Sequence, residues 1–347
     1  MKDIQIGKHL VGLNHKPFVI AEMSGNHNQS LERAIKIIEV AAATGAQAVK
    51  LQTYTPDTMT LKGVIKIEDK DSLWYGRELY DLYSEAHTPW EWHAPLFKRA
   101  KELGLEVFST PFDETAVDFL EELNVSVYKI ASFENSDWPL LKKVAQTKKP
   151  VIMSTGAASI ADISQAVQVL KDNGCVDLVL LKCTSTYPAT PENTNLLTIP
   201  HMRDLYACHV GLSDHTMGIG AAVAAVALGA CVVEKHFTLK RSDGGVDSAF
   251  SIEPEELNSL VIESERAFLS LGKIQYGVQK AEEKSLIFKR SIYVAEDIKA
   301  GEIFTKETIR VIRPGFGMPS KYYDMLLGKQ AKIDLKKGTP LTFDHLL

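Results

Sequence analysis

Residues 150–187, PVIMSTGAASIADISQAVQVLKDNGCVDLVLLKCTSTY, contain one complete structural repeat. PVIMSTG (150–156) and LVLLKCTSTY (178–187) open as short apolar runs, the pattern of strands buried on both faces. Between them, IADISQAVQVLKDNG (160–174) spaces its apolar residues three and four apart and ends on Gly174, as a helix with one buried face does. Strand, helix, strand in that order predicts two parallel strands joined by a helical crossover.

The same unit recurs in both directions. Upstream lie FVIAEMS (18–24), AVKLQTY (48–54), LEVFSTPF (105–112) and VYKIASFE (127–134); downstream lie HVGLSDHT (209–216) and VVEKHFTL (232–239). Helical patterns such as LERAIKIIEVAAATG (31–45) and WEWHAPLFKRAKELG (90–104) separate them, and PEELNSLVIESERAFLSL (254–271) closes the series with a proline in its first turn. Eight such units predict an α/β fold of the (β/α)8, or TIM barrel, type rather than an open doubly wound sheet, which would carry a Gly-rich phosphate loop after its first strand. The barrel is expected over residues 1–275 and a polar linker over 276–289. From Arg290 the pattern changes to short strands punctuated by AG, PG and KG, a small, mostly β module over 290–347.

Composition limits the function classes. Of 347 residues, 45% are hydrophobic and 24% charged, and no apolar run is long enough to span a bilayer. No signal-peptide pattern opens the chain, so a cytoplasmic protein without membrane association is expected. Cys175, Cys183, Cys208 and Cys231 are too sparse for a disulfide framework. A net charge of −5 excludes a strongly basic nucleic-acid binder, yet residues 284–347 carry 12 Lys and Arg against 7 Asp and Glu. That basic tail is either an ordinary solvated surface or a surface that meets an acidic face or an anion.

In a barrel of this type the chemistry gathers at the C-terminal ends of the strands. Here those ends are polar. Glu22, Lys50, Gln52, Thr110, Lys129, Ser132, Ser154, Tyr187, Ser213, His215, Glu234 and His236 all fall there. Ser213 and His215 share a side of one strand, and Glu234 and His236 share a side of the next. The two imidazoles can therefore converge on one divalent cation; His215 is alternatively a helix cap. Lys50 and Lys129 are costly to bury unpaired, which points to an anion held in the barrel mouth, to a Schiff-base lysine, or to plain ion pairs with Glu22 or Glu134. Asp247, beside a Gly-Gly turn after the last strand, is placed as a water-positioning or acid/base group, with a turn or cap role as its alternative.

The strings AEMSGNHN, VKLQTY, FSTPFD, YKIAS, MSTGAA, KCTSTYP, GLSDHT, EKHFT and RPGFG, in that order, resemble the sialic acid synthase family. The resemblance implies a barrel followed by a C-terminal antifreeze-like (SAF) domain, and a transferase that condenses phosphoenolpyruvate with an amino sugar. It further implies His215 and His236 as ligands of manganese or magnesium, with no organic cofactor. Lys50, Thr110, Lys129, Ser132, Ser154 and Ser213 would hold phosphoenolpyruvate. Glu22 and Asp247 would act on water, and Gln52 and Tyr187 would face the sugar. Arg313 would reach the sugar in the partner's site of a domain-swapped homodimer. FVIAEMSGNHNQSLERA, WYGRELYDLYSEAHTPWEWH and IFKRSIYV are similar to the pseudaminic acid branch of that family, whose acceptor is 2,4-diacetamido-2,4,6-trideoxy-L-altrose and whose product decorates bacterial surfaces and flagellins. That acceptor lacks a 6-hydroxyl, which favours an apolar wall for which Trp74, Trp90 and Trp92 are candidates; their alternative is the core of the second and third units, and the core is the preferred place for Trp92. The neuraminate and legionaminate branches, another metal-dependent barrel aldolase, and a binding protein that has lost catalysis are the alternatives.

Overall fold

The computed structural model describes Met1–Leu347 and divides into two compact units, Met1–Gly272 and Lys273–Leu347. In the first unit, an antiparallel hairpin of β1 (Ile4–Ile6) and β2 (His9–Val11) precedes the repeats. Eight strands follow: β3 (Phe18–Glu22), β4 (Ala48–Thr53), β5 (Glu106–Pro111), β6 (Tyr128–Ile130), β7 (Val151–Ser154), β8 (Leu178–Cys183), β9 (His209–Asp214) and β10 (Val232–His236). All pair in parallel, and β10 pairs with β3 to close the barrel. Each strand starts within a stretch predicted from the sequence.

Local signals set the helix ends. Ser30 accepts from the Arg33 amide at the start of helix Leu31–Ala43, and Ser159 and Asp162 form a reciprocal cap on helix Ile160–Asp172. Gly45 and Gly104 take positive φ angles of 84° and 78° just beyond helix ends, where a side chain would be strained. Apolar side chains on the outer face of the barrel pack against these helices. Inside, Phe18, Ile20, Ala48, Phe108, Val127, Ile152, Val179, Leu181 and Val232 form a dry floor together with Ile4, Ile6 and Val11 of the hairpin. The hairpin is too short for a periodicity argument, so nothing in the sequence reading anticipated it.

Two expected strands are shorter than their apolar runs. VYKIASFE leaves the sheet after Ile130 and turns through a 3-10 segment, Ser132–Glu134. There the Asn135 amide donates to Ser132 O, and the Gly156 amide donates to Ser132 Oγ at 3.1 Å, so side-chain bonds replace the ladder. LVLLKCTSTY leaves after Cys183.

In the second unit, β11 (Ser291–Val294) and β12 (Ile309–Ile312) are antiparallel. The remaining pairing is by single bridges such as Ile298 with Leu335 and Ala331 with Leu346, around a core that includes Ile292, Val294, Phe304, Ile309 and Leu341. The stretch 280–288 is an exposed 3-10 segment of this unit.

Candidate active site

Parallel register brings the polar strand ends level. Glu22 pairs with Lys50 on one side and His236 on the other, Gln52 with Thr110, and Glu234 with Ser213. All of these but Thr110 line a cavity of about 320 Å³ at the C-terminal mouth of the barrel, joined there by Lys129, Ser132, Ser154, Tyr187, His215 and Asp247. Thr110 lies just below, fully buried, and accepts from Lys50 Nζ at 3.1 Å.

The lysines are paired. Lys50 Nζ lies 2.8 Å from Glu22 and 3.5 Å from Glu234, whereas Lys129 Nζ lies 3.7 Å from Glu234 and donates to Ser154 Oγ at 2.6 Å. Glu134 forms no ion pair with either lysine, which corrects the pairing with Glu134 raised from the sequence. Glu234 takes that place because β10 closes the barrel next to β3 and β9, a neighbourhood that sequence order hides. Burial pushes the Glu22 carboxyl up to about 7 against the pull of Lys50. Burial also favours the neutral forms of Glu234 and Lys129; Lys129 and Lys50 outweigh it at Glu234, which stays ionised, while the Lys129 ammonium is easier to deprotonate than an exposed one. Of the four carboxyls that line the cavity, Glu22 and Glu234 are the two paired with its two amines, and an entering anion competes with them for those amines.

The imidazoles line the same cavity, His236 level with Glu22. His215 and His236 have ring centroids 5.4 Å apart, and Tyr187 packs on His215 at 4.5 Å. His215 Nδ1 lies 3.0 Å from Thr184 O. A carbonyl only accepts, so Nδ1 carries the proton and Nε2 keeps its lone pair. His236 Nδ1 is buried with no hydrogen-bond partner. Burial pushes His215 down to about 4 and holds His236 well below the ordinary imidazole value, so both rings are neutral at physiological pH. Neutral imidazoles with free nitrogens fit a divalent ion. No third His, Cys, Asp or Glu joins them as a ligand group, so any such ion would complete its shell from substrate or water.

Asp247 is buried at the cavity wall, and burial pushes its carboxyl up against the hydroxyl of Ser24 and the Gly25 amide, which hold it. Its loop is pinned by Arg241 on Glu256 and by Asp243 on Arg33 at 2.8 Å. Of the tryptophans, Trp74 lines the cavity and donates to Val246 O at 3.1 Å. Trp90 stacks on Phe119, and Trp92 packs against the outer core, so neither forms the wall. Arg313 follows β12 in the second unit and is exposed. Ser24 and Glu234 are cavity residues without a role in the sequence analysis. The period-two pattern Glu234, His236 was the available signal for the last.

Residues 37–276 match the NeuB family and residues 289–347 match the SAF domain. The chain belongs to the NeuB family. It is 43% identical to the pseudaminic acid synthase of Campylobacter jejuni, over 97% of this chain and 98% of that one. It is 41% identical to the pseudaminic acid synthase of Helicobacter pylori, over 95% and 98%. Among solved structures it resembles the N-acetylneuraminic acid (sialic acid) synthetase of Leptospira borgpetersenii, solved in complex with citrate, with a TM-score of 0.74 and 32% identity over 82% of this chain and 95% of that one. This NeuB-family chain is an enzyme of the synthase type, and none of its helices is long and apolar enough to cross a membrane.

Proposed function

We propose that this chain is a pseudaminic acid synthase, condensing phosphoenolpyruvate with 2,4-diacetamido-2,4,6-trideoxy-L-altrose to give pseudaminic acid and inorganic phosphate. The observation that carries the reading is the meeting of two buried amines, Lys50 and Lys129, with two neutral imidazoles, His215 and His236, in one cavity. Near-full-length similarity to proteins of that name supports the choice of acceptor.

In this reading Lys50 and Lys129 hold the charged groups of phosphoenolpyruvate, with hydroxyls of Thr110, Ser132, Ser154 and Ser213 around them. His215 and His236 would hold a manganese or magnesium ion, and such an ion would supply Lewis-acid polarisation of the acceptor's aldehyde. Gln52 and Tyr187 orient the open-chain sugar so that C3 of the enol phosphate bonds to the aldehyde carbon, leaving electron demand at C2. Glu22 or Asp247 takes a proton from the water that adds at C2, and the C–O bond to phosphate then breaks. A Glu22 carboxyl near 7 can exchange that proton at neutral pH. Trp74 supplies the apolar wall that a 6-deoxy sugar tolerates. No organic cofactor takes part. The reading extends to a domain-swapped homodimer in which Arg313 touches the sugar held by the partner barrel.

The test is the mass of the product formed from phosphoenolpyruvate, Mn²⁺ and the altrose-derived acceptor, together with phosphate release. Pseudaminic acid and one equivalent of phosphate are expected. Turnover only with the neuraminate or legionaminate precursor would move the chain to those branches. Thermal stabilisation by phosphoenolpyruvate without turnover on any sugar would make it a binding protein.

A further inference from the structure

Ser24 is a cavity residue that the proposed chemistry does not use, and its backbone is unusual. It sits just past β3, 4% exposed, with φ +46°, the left-handed region that glycine enters freely and serine rarely does. Its hydroxyl donates to Asp247 Oδ2 and accepts from Gln52 Nε2 at 2.9 Å. The Gln52 amide also donates to Glu22 Oε1 at 3.0 Å, and the Gly25 amide donates to Asp247 Oδ2 at 3.3 Å. The directions are forced along this chain. Gln52 offers N–H to both neighbours, so the single Ser24 proton points to Asp247. Both bonds to Asp247 fall on Oδ2, which leaves Oδ1 for a ligand. A buried serine held in a glycine conformation persists where its surroundings over-determine it, and such outliers gather at functional sites.

We propose that Ser24 is a positioning residue: it fixes the orientation of Asp247 and links it through Gln52 to Glu22, so that the two carboxyls that work on water are held in one register. The proposal rests on the reading of Asp247 and Glu22 given above. It predicts that backbone relief and catalytic loss separate, because Ser24→Gly removes both the strain and the hydroxyl.

The experiment compares Tm, kcat and KM of wild type, Ser24→Gly and Ser24→Ala. Ser24→Gly should melt within a few degrees of wild type, because backbone relief offsets the lost bond, while its kcat falls roughly 10- to 100-fold, the range for losing a hydrogen bond to a charged group, and its KM for phosphoenolpyruvate stays within about twofold. Ser24→Ala should lose as much kcat but melt below Ser24→Gly. Wild-type kcat in Ser24→Gly, or a loss that appears only in KM, overturns the proposal. If wild type itself fails to turn over the altrose-derived acceptor, the functional reading has failed, and Ser24 is judged by a double-mutant cycle in Tm with Asp247→Ala. Positive coupling keeps the proposal; additive changes in Tm overturn it.

Discussion

The floor and the mouth of the barrel are built on the same strands, two residues apart, yet they are opposite in chemistry. Along β3, β4, β5 and β7, and at β6 and β10, Ile20 gives way to Glu22, Ala48 to Lys50, Phe108 to Thr110, Ile152 to Ser154, Val127 to Lys129 and Val232 to Glu234. One step along each inward face turns hydrocarbon into charge and hydroxyl. Burying amines and carboxyls is costly even when they are paired. The floor, sealed by Ile4, Ile6 and Val11 of the hairpin, is the part that offsets this cost. Stability and chemistry are therefore allotted to separate layers, and substitutions in the two layers should fail in different ways.

The largest effect belongs to the mouth. Lys129→Met removes an amine whose only ion pair is the 3.7 Å contact with Glu234, which keeps Lys50 at 3.5 Å. The loss should cost roughly 10²–10³-fold in turnover, as expected for a group that holds reacting charge. Thermal unfolding should remain within a few degrees of wild type, because methionine fills the same volume without a charge to bury. Phosphate-release kinetics beside a melting curve check both halves; a fall in Tm matching the activity loss would erase the division between layers.

The floor should give the reverse. Ile152→Ala leaves a cavity among Phe108, Val127 and Val179 and should cost about 2–4 kcal/mol of stability. Turnover per folded molecule, measured well below the melting transition, should be close to wild type. If kcat falls as far as in Lys129→Met, the mouth is not mechanically independent of its floor.

Much of this division can be read from sequence, because period two in a strand is a local property. The step from Ile152 to Ser154, or from Val127 to Lys129, needs no partner strand to be seen. What stays hidden depends on closure. The Lys50–Glu22 pair, between neighbouring strands, is among those expected from the sequence, but that Lys50 also meets Glu234, and that neither lysine pairs with Glu134, follows from β10 lying beside β3, a pairing between residues more than two hundred positions apart. The ends of β6 and β8 are equally illegible, since Ser132 and Thr184 leave the sheet to bond Asn135, Gly156 and His215 across loops. Ser24 shows the same limit: its φ of +46° has no signature in the letters AEMSGN.

The smallest effect tests the same contrast by titration. Glu134 lines the mouth, its Oε2 is buried without a partner, and burial pushes its carboxyl up to about 7 against the opposing charge of Lys129. Between its ordinary value of 4.5 and about 7, the folded chain binds one proton more than the unfolded chain does. Its contribution to stability is therefore fully present at low pH and is lost as pH rises through that window. Glu134→Gln is neutral throughout. The stability of wild type relative to the variant should fall between pH 5 and pH 8 by on the order of 1–3 kcal/mol, read from urea melts at each pH. Glu22 titrates in the same window in both chains and cancels from the difference. Ile152→Ala should show an offset from wild type that does not change with pH, since no floor residue titrates there. A flat difference for Glu134→Gln would mean that its carboxyl is ionised against a counter-charge, and the mouth would then hold one more closed ion pair rather than a proton ready to move.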